Sequence, residues 1–195
     1  MLEVIVALFV LTVGLVSVAA LAGTMMTTSN RSKYMSVQAT LASEKLEDLS
    51  RWPPDSTRVC VPTGNPSVGS LTSDILQTTT CGLGSDSIAY YDDVNINFAN
   101  STTDCASTLG GCFAETVSTA SGGTTTYITT YHSPDGYITT TSSTTAPTNM
   151  TFHRRWIIEA NSPVTGVRRV TVLVTLNSTD LAPLNPTFQM SVVRP

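Results

Sequence analysis

The sequence predicts an α+β protein in which one long N-terminal helix packs on a disulfide-bonded, β-rich head. Three observations carry that reading. An apolar run, Val4 to Gly23, opens the chain and passes into a stretch with helical spacing. Pro53 and Pro54 then end the helical pattern. Beyond them, turn residues separate short β-branched and aromatic runs.

The helix comes first. Val4 to Gly23 reads VIVALFVLTVGLVSVAALAG. About 20 such residues cross a bilayer as a helix. From Ser32 to Arg51, Leu41, Leu46 and Leu49 recur on one side, with Trp52 completing the stripe, while Glu44, Glu47 and Asp48 take the polar side with Lys45. A helix over residues 2–51 is about 75 Å long at ~1.5 Å per residue, too long for an element inside a lone globular domain. The chain therefore divides into a helix, 1–52, and a head, 53–195. The helix has an apolar half, 1–28, and an amphipathic half, 29–52.

In the head, Ile88 to Tyr91 and Val94 to Phe98 read as strands. Thr124 to Tyr131 and Tyr137 to Thr141 form a hairpin about a turn at His132 to Gly136. The Thr-rich segment Thr139 to Thr148 reads as an irregular, solvated loop. Phe152 to Glu159, Val167 to Leu176 and Phe188 to Val193 are three more strands, the first two joined by a turn at Asn161 to Gly166. Val170, Val172 and Val174 share one face of their strand; Arg169, Thr171, Leu173 and Thr175 share the other. An antiparallel sheet with one face on the long helix follows.

The four cysteines, Cys60, Cys81, Cys105 and Cys112, are an even set in a turn-rich segment and indicate two disulfides in an oxidising compartment. Three connectivities exist, and the shortest loops favour Cys60–Cys81 with Cys105–Cys112. No C-x-x-C pair is present, so zinc and c-type haem sites have no support.

Charge sharpens the division. Only 12% of residues are charged, against 22 serines and 33 threonines, and the net charge is −4. Between Arg58 and Arg154 there is no lysine or arginine, while Asp74, Asp86, Asp92, Asp93, Asp104, Glu115 and Asp135 lie there. Nucleic acid is not an expected partner of so acidic a chain. A hydroxyl-rich head suits an extracellular surface.

Glu3 is the informative residue of the apolar segment. A carboxylate at the edge of a membrane-spanning helix is costly unless something positive meets it. With it in view, MLEVIVALFVLTVGLVSVAALAG resembles the N-terminus of type IV pilins and type II secretion pseudopilins, and is most like the minor pilins. The resemblance implies a type IV pilin-like fold and a structural subunit of an extracellular filament, held in the inner membrane before assembly. It implies a leader removed by a prepilin peptidase, methylation of the new N-terminus, and dependence on a pilus assembly machinery. Glu3 matches the family's glutamate, which pairs with the terminal amine of a neighbouring identical subunit. That glutamate is the fifth mature residue in the family and the third here, so two further residues are expected before it. Gly14 and Gly23 each cost up to ~1 kcal/mol relative to alanine, and helix loosening between them is expected on entry into a filament. The segment with Phe152, Arg154, Trp156 and the run Arg168-Arg169-Val170-Thr171-Val172 also resembles minor-pilin C-terminal strands. Two alternatives stand beside the pilus: a pseudopilin of a secretion system, and a membrane-anchored adhesin with a binding head.

Catalytic chemistry finds little support. His132 and His153 are read as structural, and no G-x-S-x-G elbow is present. Asp93-x-Asn95-x-Asn97 has the spacing of a calcium loop, but Val94 and Ile96 between them fit a strand better. No enzyme activity, metal or cofactor is expected. Arg154, Arg155, Arg168 and Arg169 are expected to pair with Glu159, with the acidic middle or with a neighbouring subunit. O-linked glycans are expected on Thr78 to Thr80, Thr124 to Thr126 and Thr139 to Thr145. The sequons at Asn30, Asn100, Asn149 and Asn177 are what chance gives in so Ser/Thr-rich a chain.

Overall fold

Helix α1 runs unbroken from Leu2 to Arg51. In the computed structural model, residues 2–82, 84–99, 112–121, 123–132, 138–146, 152–177 and 186–195 are described. Gly14 and Gly23 sit within α1 with open space around them. The polar residues of the apolar half turn inward on the helix. Thr12, Ser17, Thr24, Thr27 and Thr28 each donate to a carbonyl three or four residues earlier. Burial begins at Tyr34 and Val37, and Gln38, Leu41, Ala42, Leu46 and Leu49 are buried.

Ten strands follow: β1 Ser67–Gly69, β2 Leu76–Cys81, β3 Gly84–Ala89, β4 Tyr91–Ala99, β5 Cys112–Ser121, β6 Thr124–His132, β7 Ile138–Ser143, β8 Phe152–Ala160, β9 Arg168–Leu176 and β10 Thr187–Arg194. The main sheet has the order β10-β9-β8-β4-β5-β6-β7, every pair antiparallel, with β1 also on β8. The hairpin β2–β3 forms a separate two-stranded sheet, with β3 against β5. Helix α1 packs on β9 and β10. The fold class is α+β, with the long helix on an antiparallel sheet.

Strand alternation builds the core. Phe152, Arg154, Trp156 and Ile158 of β8 point inward, as do Val170, Val172, Val174 and Leu176 of β9. They meet Leu41, Ala42, Leu46 and Leu49 of α1, with Tyr90, Val94, Val59 and Val68 closing the cluster. Gly69 is forced by two conditions at once. Its φ is +80°, and an added Cβ would collide with the Trp156 carbonyl oxygen and the Tyr90 ring.

Two sequence expectations are corrected. Thr139 to Ser143 lie in β7 and pair residue by residue with Tyr127 to Tyr131, so the expected hairpin holds over Ile138 to Thr141, and the loop expected from Thr139 begins only after Ser143. Threonine is β-branched and accepts a strand readily, so hydroxyl content alone misleads there. The expected strand Ile88 to Tyr91 is broken at Tyr90, where one strand ends and the next begins. Tyr90 donates its N–H to Ile75 O and accepts from Trp156 N–H, which fixes the bend and buries the ring.

Candidate functional site

The first feature is the bare half of α1. Val4, Leu8, Phe9, Val10, Leu11, Val13, Leu15, Val16, Val18, Leu21, Met25 and Met26 are all exposed. The helix is long and apolar enough to cross a membrane, and none of that window is buried against the rest of the chain. A signal sequence meets the same description of length and composition. Glu3 is in the first turn, exposed.

The second feature is a pair of charge networks on opposite faces of the same two strands. The tract Tyr91-Asp92-Asp93 of β4 lies antiparallel to His153-Arg154-Arg155 of β8, with Asp92 facing Arg154 and Asp93 facing His153. Because neighbours on a strand point to opposite faces, one pair goes inward and the other outward.

Inward, Arg154 donates from Nε to Asp92 Oδ1 at 2.6 Å and from Nη2 to Asp92 Oδ2 at 3.0 Å. Lys45 of α1 donates to Asp92 Oδ2 at 3.0 Å and lies 4.0 Å over the Trp156 ring. Burial alone would raise the Asp92 carboxyl, but Lys45 and Arg154 override it and hold the group below its ordinary value. The cluster pins the amphipathic half of α1 to the sheet.

Outward, His153 bonds Asp93 Oδ1 through Nδ1 at 2.5 Å and Asp74 Oδ1 through Nε2 at 2.8 Å. Arg155 donates to the same Asp74 oxygen at 2.7 Å. The hydrogen bond to Asp93 raises the His153 pKa, burial opposes it, and Asp74 adds to the rise. The Ser118 hydroxyl donates to Asp93 Oδ2 at 3.4 Å rather than to the imidazole. With both ring nitrogens on carboxylates, this imidazole has no free nitrogen to take a proton from a nucleophile. The arrangement ties the loop carrying Asp74 to the sheet.

The arginines of β9 and β10 are also engaged. Arg169 bonds Glu159 through Nε and Nη2, a bidentate pair directly across β8 and β9, and this holds the Glu159 carboxyl below its usual value. Arg168 donates to the carbonyls of Pro54 and Val59, and Arg194 to those of Leu49 and Trp52, capping the end of α1.

Cys60 is bonded to Cys81, joining the segment after α1 to the end of β2. Cys112 opens β5, and Cys105 lies outside the described residues, so the Cys105–Cys112 pairing lies outside them too. Asp93, Asn95 and Asn97 lie along β4 as a strand. Among the described residues no group of three or more His, Cys, Asp or Glu side chains could hold a metal ion. One glycan expectation is corrected: Thr79 is fully buried with its hydroxyl 3.0 Å from Tyr90 Oη, so Thr78 and Thr80 alone of that cluster are exposed.

Sequence reasoning missed both networks as sites. The signal was present in the doublet Asp92-Asp93 and the triplet His153-Arg154-Arg155, but nothing in a linear reading aligns them. Compared with protein-family models, curated proteins and solved structures, the chain matches none.

Proposed function

We propose that this chain is the structural subunit of a type IV pilin-like extracellular filament. One observation carries the reading: the apolar half of α1 has nothing from its own chain against it, while the amphipathic half is built into the head. Such a helix needs lipid or other helices around it. Apolar burial contributes roughly 25 cal/mol per Å², so a bundle of identical helices is strongly favoured once formed. Internal hydrogen bonds satisfy its hydroxyls, which removes the main penalty of a water-free environment. Glu3 sets the register by pairing with a neighbour's N-terminal amine. The head, with its hydroxyl-rich strands, forms the outer surface.

Electron microscopy of material sheared from cells, with mass spectrometry of the subunit, tests this. Filaments made of this chain support it; a chain that stays a membrane-held monomer rejects it. The bare helix supports a second reading as well, a membrane-anchored binding head, which the same experiment separates.

A further inference from the structure

The main sheet ends in two strands, β7 and β10, with no partner on their outer sides among the described residues. Open sheet edges carry unpaired backbone N–H and C=O groups, and soluble proteins guard them with charges, prolines or bulges. β7 reads Ile-Thr-Thr-Thr-Ser-Ser, with no charge and no proline. β10 reads Thr-Phe-Gln-Met-Ser-Val-Val-Arg, and its one charge, Arg194, is turned onto the carbonyls of Leu49 and Trp52. Among the described residues neither edge is guarded.

The β7 end is also a wing. Helix α1 packs on β9 and β10, at the other end of the sheet. No described side chain of β6 or β7 is buried. Ile128 and Ile138 are 40% and 58% exposed there, and Met190 and Val193 of β10 are 39% and 51% exposed. Six antiparallel steps separate β10 from β7, so the two edges run in the same direction.

We propose that β7 of one subunit pairs with β10 of the next, so that the sheets of neighbouring heads join edge to edge. The inference rests on the filament reading above and names the head contact within it. A second copy fits better than a foreign strand for a geometric reason. A copy moved across the sheet without being turned over brings its β10 beside β7, in parallel, and leaves one β7 and one β10 free at the ends. That contact is heterologous and open, the kind that propagates into filaments. A foreign strand would cover one edge and leave the other bare. Pairing of β10 with β10 about a twofold axis would close at two subunits.

Hydrogen exchange read by mass spectrometry, on filaments and on detergent-dispersed subunits of the full chain, tests the pairing. The expected result is strong slowing at residues 138–143 and 187–194 in filaments alone. The variants Thr141→Lys with Ser143→Lys, and Gln189→Lys with Ser191→Lys, guard one edge each. Each is expected to cut filament yield about tenfold or more while the dispersed subunit keeps its circular dichroism. Filaments whose β7 and β10 amides exchange as fast as in dispersed subunits overturn the edge pairing and leave the filament reading standing. Absence of filaments from the unaltered chain overturns both.

Discussion

Asp92 and Arg154 stand opposite each other across β4 and β8, each 3% exposed, joined by two hydrogen bonds and shared with Lys45 of the helix. Three elements meet in this one ion cluster. It explains how an arginine can occupy an inward position between Phe152 and Trp156.

Removing the carboxylate leaves a buried, uncompensated guanidinium. Asp92→Asn is expected to cost about 3–5 kcal/mol, measured by denaturant unfolding of the detergent-held chain. The double variant Asp92→Leu with Arg154→Met is expected to lose less than either single change, since it removes both charges together. A single-variant loss under about 1 kcal/mol, the range of an exposed ion pair, rejects the cluster as a structural pin. The Asp92 carboxyl is held below its ordinary value, so its contribution is present above the unfolded carboxylate range and is lost as pH falls through the folded value.

His153 works in the opposite sense. Its folded pKa is raised above the ordinary 6.5 by Asp93 and Asp74. Its contribution is complete below that ordinary value and disappears as pH rises through the higher folded one. Stability should therefore decline in that window, and His153→Gln should flatten the decline. An NMR titration of the imidazole that ends at or below 6.5 contradicts it.

Gly69→Ala combines left-handed strain with a collision against Trp156 and Tyr90. The expected loss is about 3 kcal/mol, roughly half from backbone strain and half from overpacking. Gly64 has φ +93° with open space around it, so Gly64→Ala is expected to cost only about 1 kcal/mol. Equal losses at the two sites would show that the collision relaxes freely.

The Cys60–Cys81 bond closes a loop with a separation of 21 residues. Replacing both cysteines by serine is expected to cost about 3 kcal/mol through the freed unfolded chain. A urea midpoint of the variant equal to that of the unaltered chain rejects this contribution.

Glu3→Ala is expected to insert in membranes at normal levels yet yield few filaments. Fractionation reads the first quantity and electron microscopy of sheared material the second. Normal filament yield removes the pairing role from Glu3.

The long helix was legible because its two signals are local: an uninterrupted apolar run, then a leucine stripe at helical spacing closed by Pro53-Pro54. The valine face of β9 was legible for the same reason, alternation within one strand. In β7 two local signals compete: hairpin spacing places a strand over Tyr137 to Thr141, threonine content reads as a solvated loop from Thr139, and β-branching carries the strand on to Ser143. Residue type alone makes Thr79 a surface threonine, yet its hydroxyl bonds Tyr90 inside the head.

Residues close together in the chain were enough for the α+β class and for the exposed apolar surface of the helix, since each rests on a local pattern. The tertiary structure alone decided which of two adjacent acids goes inward, which edges the sheet leaves open, and which arginine each acid meets. Asp92 and Arg154 are 62 residues apart. Their meeting depends on strand register, and a slip of one residue would send every side chain of β8 to the other face.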